Sequence, residues 1–342
     1  MHPSRLNAAL PRRTVLAGVG ASAFVLSAFA LSAGAEERPI VGRVVREDPA
    51  LDALIEDGAP VEKLMDGFVW AEGPVWIGGV DGYLLASDAR GNAIRRWSEK
   101  DGGSDWLSPS GWQGAPDPGL SEPGTNGLCL GRGGIVCADS GSRGVALIDL
   151  KTKAKTVLCS HFEGKRFNSP NDVVVGPDGA AYFTDPPYGL KDRLKSPLRE
   201  MDYSGVFRLG PDNVVSVIDR TLSPNGIGLS PDARTLYVTN KAQWLAISLD
   251  AQGRPVDKRP LITADAAMVG GDGMRVDSAG NLWVSSLIGI CIYTPQGKRL
   301  GVIKADQTQS NCEFGADGYL YMTSHSRLLR VKVKAKKLTW RA

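Results

Sequence analysis

Residues 171–185 read NDVVVGPDGAAYFTD, and this stretch decides the fold. A polar residue opens it, an apolar run follows, a Pro-Asp-Gly turn interrupts, and a second apolar run closes on Thr-Asp. Two short β-rich runs around a tight Gly/Asp turn predict a β-hairpin. The same pattern recurs as EGPVWIGGVDGYLLASD (72–88), NGLCLGRGGIVCAD (126–139), NGIGLSPDARTLYVTN (225–240), DGMRVDSAGNLWVSS (272–286) and NCEFGADGYLYMTS (311–324). The starting points are spaced 54, 45, 54, 47 and 39 residues apart. A hairpin repeat of 40–50 residues predicts four-stranded propeller blades. The expectation is therefore an all-β, six-bladed β-propeller in which N- and C-terminal strands close the ring. VEKLMDGF (61–68) and LLRVKVKAKKLTW (328–340) are the segments expected to meet. DALIEDG (52–58) suggests a short helical turn.

The polar residue that opens each repeat occupies the same phase, so Glu72, Asn126, Asn171, Asn225, Asp272 and Asn311 are expected to converge on the axis. Asn and Asp also cap turns, which explains any one of them. Six in register point instead to a hard-oxygen cage. Two carboxylates and several amide oxygens suit Ca²⁺, with Mg²⁺, Mn²⁺ or Zn²⁺ as other candidates. The residues that close each hairpin return to the same end: Asp88, Asp139, Asp185, Asn240, Ser286 and Ser324. They can cap the blade tops or face a ligand. Asp185, with Tyr188 in the Pro-Pro-Tyr-Gly loop after it, is expected in the pocket wall. Two long connections, 98–125 and 186–204, are the natural places for binding loops.

Residues 36–342 are expected to form one propeller domain, since 307 residues match six repeats of about 48. Residues 1–35 read as an export signal. Arg12-Arg13 precedes an apolar stretch ending in Ala33 and Ala35, the pattern of a cleaved twin-arginine signal. An uncleaved anchor is the other reading. The expectation is a bacterial periplasmic protein handed to the twin-arginine export machinery, with no stable membrane association after cleavage. All of the chain's net charge of +3 comes from Arg5, Arg12 and Arg13, so the mature domain is neutral. It lacks the basic footprint of a nucleic-acid binder. Five cysteines without a C-x-x-C spacing argue against thiol zinc sites. Cys129 and Cys137 flank one turn, and no bridge is expected between them. G-x-S-x-G, H-E-x-x-H and Walker-type loops are absent, and His161 and His325 are the only histidines after residue 35.

The strings AEGPVW, FNSPNDVVVGPDGAAYFTDPPYG, SPNGIGLSPDARTLYVTN and GDGMRVDSAGNLWVSS resemble the gluconolactonase/regucalcin (senescence marker protein) family over nearly all of residues 60–330. The resemblance implies a propeller with one divalent cation at its axis and hydrolysis of aldonolactones such as glucono-1,5-lactone. It implies Glu72, Asn225 and Asp272 as metal ligands and Asp272 as the general base. Asn171 is implied at the metal or the substrate, and Asn126 at the substrate. Animal members carry an Arg two residues before Asn171, where this chain has Ser169. A cation that polarises the lactone carbonyl, with Asp272 accepting a proton from water, would suffice for ring opening. Two other classes fit a propeller of this kind: a related esterase or lactonase acting on non-sugar esters or organophosphates, and a non-catalytic binding module.

Overall fold

The computed structural model describes residues 38–115, 119–241, 243–263 and 270–340. The expected export signal lies outside them. The described part is all-β, and its helical pieces are two 3-10 turns, Pro49–Ala53 and Arg193–Lys195. Pro at the first position and the Asp48 carboxylate, which accepts from Ala50 N at 2.9 Å, start the first of these turns.

Each of the six predicted hairpins forms. Four belong to separate four-stranded antiparallel sheets. The first sheet is Ala71–Ile77, Tyr83–Asp88, Ala93–Ser98 and Gly102–Leu107. The second is Leu128–Gly131, Gly134–Asp139, Gly144–Ile148 and Lys155–Cys159. The third is Val173–Val175, Ala181–Asp185, Gly205–Leu209 and Val215–Asp219. The fourth is Pro224–Leu229, Thr235–Asn240, Gln243–Leu249 and Pro255–Thr263.

The last two hairpins share one nine-stranded sheet. Met274–Val276, Leu282–Ser286, Gly289–Tyr293 and Arg299–Ala305 form one run. Gln309–Phe314, Tyr319–Ser324, Arg327–Lys332 and Pro60–Asp66 form the other. The N- and C-terminal pieces meet as expected, with Glu62 opposite Arg330 and Asp66 opposite Arg327. The sequence does not foretell Ile40–Arg46. It pairs with both Pro60–Asp66 and Arg299–Ala305 and so welds two four-stranded runs into one sheet.

The first strands of successive runs lie side by side. Ala71–Ile77 neighbours Leu128–Gly131, which neighbours Val173–Val175, then Pro224–Leu229, Met274–Val276 and Gln309–Phe314, which returns to Ala71–Ile77. Apolar clusters fill the spaces between sheets, for instance Val136, Phe167, Val173, Phe183 and Phe207 between the second and third. The alternation of apolar residues along each strand puts one set on each sheet face, and stacking buries both. Cys129 stands opposite Val136 and Cys137 opposite Leu128, so neighbouring positions send the two thiols to opposite faces of the sheet.

Close approach of the inner strands explains the residue that follows the axial ones. At Gly73, with φ of +35°, a Cβ would collide with the carbonyl oxygen of Asn126, and at Gly226 it would collide with that of Asp272. The Glu-Gly, Asn-Gly and Asp-Gly pairs therefore serve strand packing around an axis rather than turn geometry.

Candidate functional site at the inner-strand ends

Glu72 begins the first inner strand with its carboxylate buried. Oε1 accepts from the indole Nε1 of Trp70 at 3.1 Å and Oε2 from Gly73 N at 3.2 Å. Burial, with Asp272 and Glu122 close by, pushes its pKa well above the usual carboxylate range. Asp272 is held by the side-chain amide of Asn225 and by Gly273 N, yet burial and the neighbouring charges of Glu122 and Asp172 push it up to about 8. Glu72, Asn225 and Asp272 are thus brought together. The Oδ1 of Asn225 is buried and accepts no hydrogen bond. The site thus combines a buried acceptor without a donor and carboxylates that resist losing their protons.

The other axial residues divide. Asn126 is buried and donates Nδ2 to Glu122 Oε2 at 3.2 Å. Asn171 is buried, and its backbone carbonyl receives Gly127 N at 2.7 Å. Asn311 turns its side chain to Cys312 N at 2.8 Å and to Asp172. Among the described residues, no group of three or more His, Cys, Asp and Glu side chains is arranged to hold a metal ion. A cation at this place would need amide oxygens, and that of Asn225 is left without a donor. Such a donor set fits Ca²⁺ better than Zn²⁺.

Two carboxylates escaped the sequence reading. Glu122 lies in the long connection after the first sheet, and only the fold reveals where it points. This connection is fastened to the 186–204 loop by Ser121 N to Gly189 O at 2.9 Å, Ser121 Oγ to Tyr188 O at 2.8 Å and Lys191 N to Gly119 O at 3.0 Å. The two loops therefore place Glu122 and Tyr188 over the same site. Burial and the nearby charge of Asp272 push the Tyr188 phenol up, which puts its hydroxyl within electrostatic reach of that carboxylate. Arg193 stands 5.7 Å from the Tyr188 ring centroid. Asp172, the second missed acid, sits where four of the other repeats have Gly and the last has Cys312. Its Oδ2 accepts Ile227 N of the next inner strand at 3.2 Å.

Asp185 departs from its expected place in the pocket wall. Its Oδ1 accepts Ser169 N at 2.8 Å, and its Oδ2 accepts Asn168 N at 2.8 Å and Asn168 Nδ2 at 3.1 Å. Both oxygens are occupied in capping the loop before the third inner strand. The pattern repeats: Asp88 accepts from Val69 N and Trp70 N, and Asn240 from Ser223 N. At these three hairpins the closing residue ties down the chain entering it, because those loop N–H groups would otherwise be buried without partners, whereas Asp139 accepts from Ser142 N and Lys155 Nζ instead. Ser169 is equally structural, bonded to Pro186 O and Gly189 N. We expect Asp185→Ala to cost on the order of 3 kcal/mol by stranding buried donors. Thermal denaturation should show the loss while KM of the folded fraction stays unchanged; a raised KM with an unchanged midpoint would restore Asp185 to the pocket.

Comparison with known proteins follows the same outline. Residues 70–326 match the family described as SMP-30/Gluconolactonase/LRE-like region. The chain is 40% identical over 311 residues to a gluconolactonase of Zymomonas mobilis, covering 86% of this chain and 87% of the relative. It is 27% identical over 264 residues to regucalcin of Xenopus laevis, covering 74% and 82%. Among solved structures, a gluconolactonase of Xanthomonas campestris superposes with a TM-score of 0.74 at 30% identity, covering 86% of this chain and 97% of that one.

Proposed function

Because this chain belongs to the SMP-30/gluconolactonase/LRE-like family and is a hydrolase of the lactonase type, we propose that it opens a sugar lactone to its aldonic acid. The substrate is glucono-1,5-lactone or a related aldonolactone, and the scaffold is a six-bladed propeller with one divalent cation at its axis. The observation that carries this reading is the cluster of Glu72, Asp272 and Asn225, with its unsatisfied amide oxygen and proton-retaining carboxylates.

Glu72, Asn171, Asn225 and Asp272 would hold the cation. When bound it supplies Lewis acidity at the lactone carbonyl and positive charge for the developing oxyanion. Asp272, ionised once its negative charge is compensated, takes the proton of the attacking water. The water oxygen joins the carbonyl carbon, the ring C–O bond breaks, and the proton taken up by Asp272 passes to the departing ring oxygen. Asn126, held by Glu122, and Tyr188 at the loop wall offer hydrogen bonds to sugar hydroxyls. Residues 1–35 act in this proposal as a twin-arginine signal, and an N-terminus at Glu36 on periplasmic protein is the check.

Chelation should abolish lactone hydrolysis, followed as acid release, and re-addition of Ca²⁺ should restore it. The far-UV spectrum should not change, while the thermal midpoint falls, because a ligand bound only by the folded state stabilises it. Activity that survives exhaustive chelation would remove the cation from the mechanism. The pH dependence of the cation-free protein has a definite sign. Asp272 keeps a proton up to about 8 when folded, whereas an unfolded Asp loses it near about pH 4. The folded state thus binds more protons across that window, and its stability declines as pH rises through it. Midpoints measured from about pH 5 to 8 should fall without cation, and that slope should flatten when cation is bound.

A further inference from the structure

Arg275 lies three residues beyond Asp272, on the fifth inner strand, and its side chain turns into the axis. Nη1 donates to Met274 O at 2.8 Å, Nη2 to Pro74 O and to Leu128 O at 3.2 Å each, and Nε to Glu313 Oε2 at 3.1 Å. One guanidinium thereby touches the first, second, fifth and sixth inner strands. Asp172, at the start of the third, feels its charge and accepts the backbone N–H of Ile227 on the fourth. Glu313 is shared with Lys337, whose Nζ lies 3.0 Å from Oε1.

What lies on either side of this cation differs sharply. Toward the starts of the inner strands stands Asp172, which feels the Arg275 charge and whose own charge reaches Asp272 and Glu72. Further along the same strands is a cavity of about 320 Å³ with a largely apolar wall, including Val75, Val175, Leu229, Phe314 and Trp340. The Arg275 side chain is only 15% exposed. A guanidinium does not give up its proton, so this charge is permanent, and the apolar surroundings screen it weakly.

We propose that Arg275 is a positioning residue whose fixed charge, balanced by Glu313, sets how tightly the axial carboxylates hold their divalent cation. The inference rests on the axial-cation reading above. A staple role alone would require only the fork of hydrogen bonds. A charge role predicts opposite signs for two neutralising substitutions. Removing the positive charge relieves repulsion of the incoming cation. Removing its counter-charge exposes that repulsion.

The test is Ca²⁺ titration of the full chain by calorimetry, with thermal midpoints and far-UV spectra alongside. Arg275→Met should bind Ca²⁺ roughly tenfold more tightly despite a lower midpoint, and Glu313→Gln roughly tenfold more weakly. Arg275→Lys keeps the charge without the planar fork, so its affinity should stay near wild type while its midpoint falls. Weaker or unchanged binding in Arg275→Met overturns the proposal, as does unchanged binding in Glu313→Gln. If Arg275→Met does not fold, Arg275→Lys and Glu313→Gln decide: a gap of roughly tenfold between them supports the charge role, and equal affinities overturn it. Wild-type protein that takes up no Ca²⁺, Mg²⁺ or Mn²⁺ would end both this inference and the axial-cation reading. Wild-type binding with all variants within about twofold would end this inference alone.

Discussion

Asp272→Asn should lower kcat for lactone hydrolysis by at least ~10²-fold at saturating cation, the loss typical of a missing general base. The substitution keeps the size of the side chain and one oxygen. It removes the group that accepts the water proton and one negative charge from the cluster, so cation affinity should fall as well. Steady-state kinetics over a cation series separates the two effects. A kcat within a few-fold of wild type at saturation would exclude Asp272 as the base and pass the role to Glu72. That residue sits in the same buried cluster and has its indole and backbone donors already in place.

Gly226→Ala should be a strongly disruptive single-methyl change near the site. The added Cβ would meet the Asp272 carbonyl oxygen, a backbone atom on the neighbouring inner strand. Backbone cannot swing aside as a side-chain end can, so the inner strands must part. We expect a cost on the order of 3 kcal/mol and a midpoint lower by roughly 5–10 °C. Asn225 and Asp272 lie on the two strands forced apart, so cation affinity should fall in the same variant. A midpoint within about 1 °C of wild type would show that the two strands have slack.

The repeat was legible because each hairpin carries its own local signals: a polar opener, an apolar run and a turn. These depend on neighbours in sequence, and they put all six hairpins where the structure has them. The same phase argument brought Glu72, Asn225 and Asp272 to one place. It overreached at Asp185. Period and phase say which end of a blade a residue occupies but not whether its oxygens are already taken by Asn168 and Ser169. It could not find Glu122, whose position depends on two loops fastened to each other across some 70 residues. Arg275 and Asp172 were equally hidden. Each looks like an ordinary charged residue in a strand sequence until the strands are gathered around an axis. The Ile40–Arg46 strand was missed for a related reason, since nothing in its alternation says that it will pair on both edges.

The pairing of Pro60–Asp66 with Arg327–Lys332 bears on how the chain reaches its native state. A strand made among the first fifth of the residues waits for a partner made near the end. During synthesis its edge stays open, and the packing of Ala71–Ile77 beside Gln309–Phe314 waits as well. Each of the intervening sheets can form from contiguous chain as it emerges, but the last contacts join segments more than 230 residues apart. The entropy of closing so long a loop falls due in one late step. Chains stopped short of residue 327 would keep the edge of Pro60–Asp66 unpaired, which marks premature truncation as a route to aggregation rather than to a smaller working enzyme.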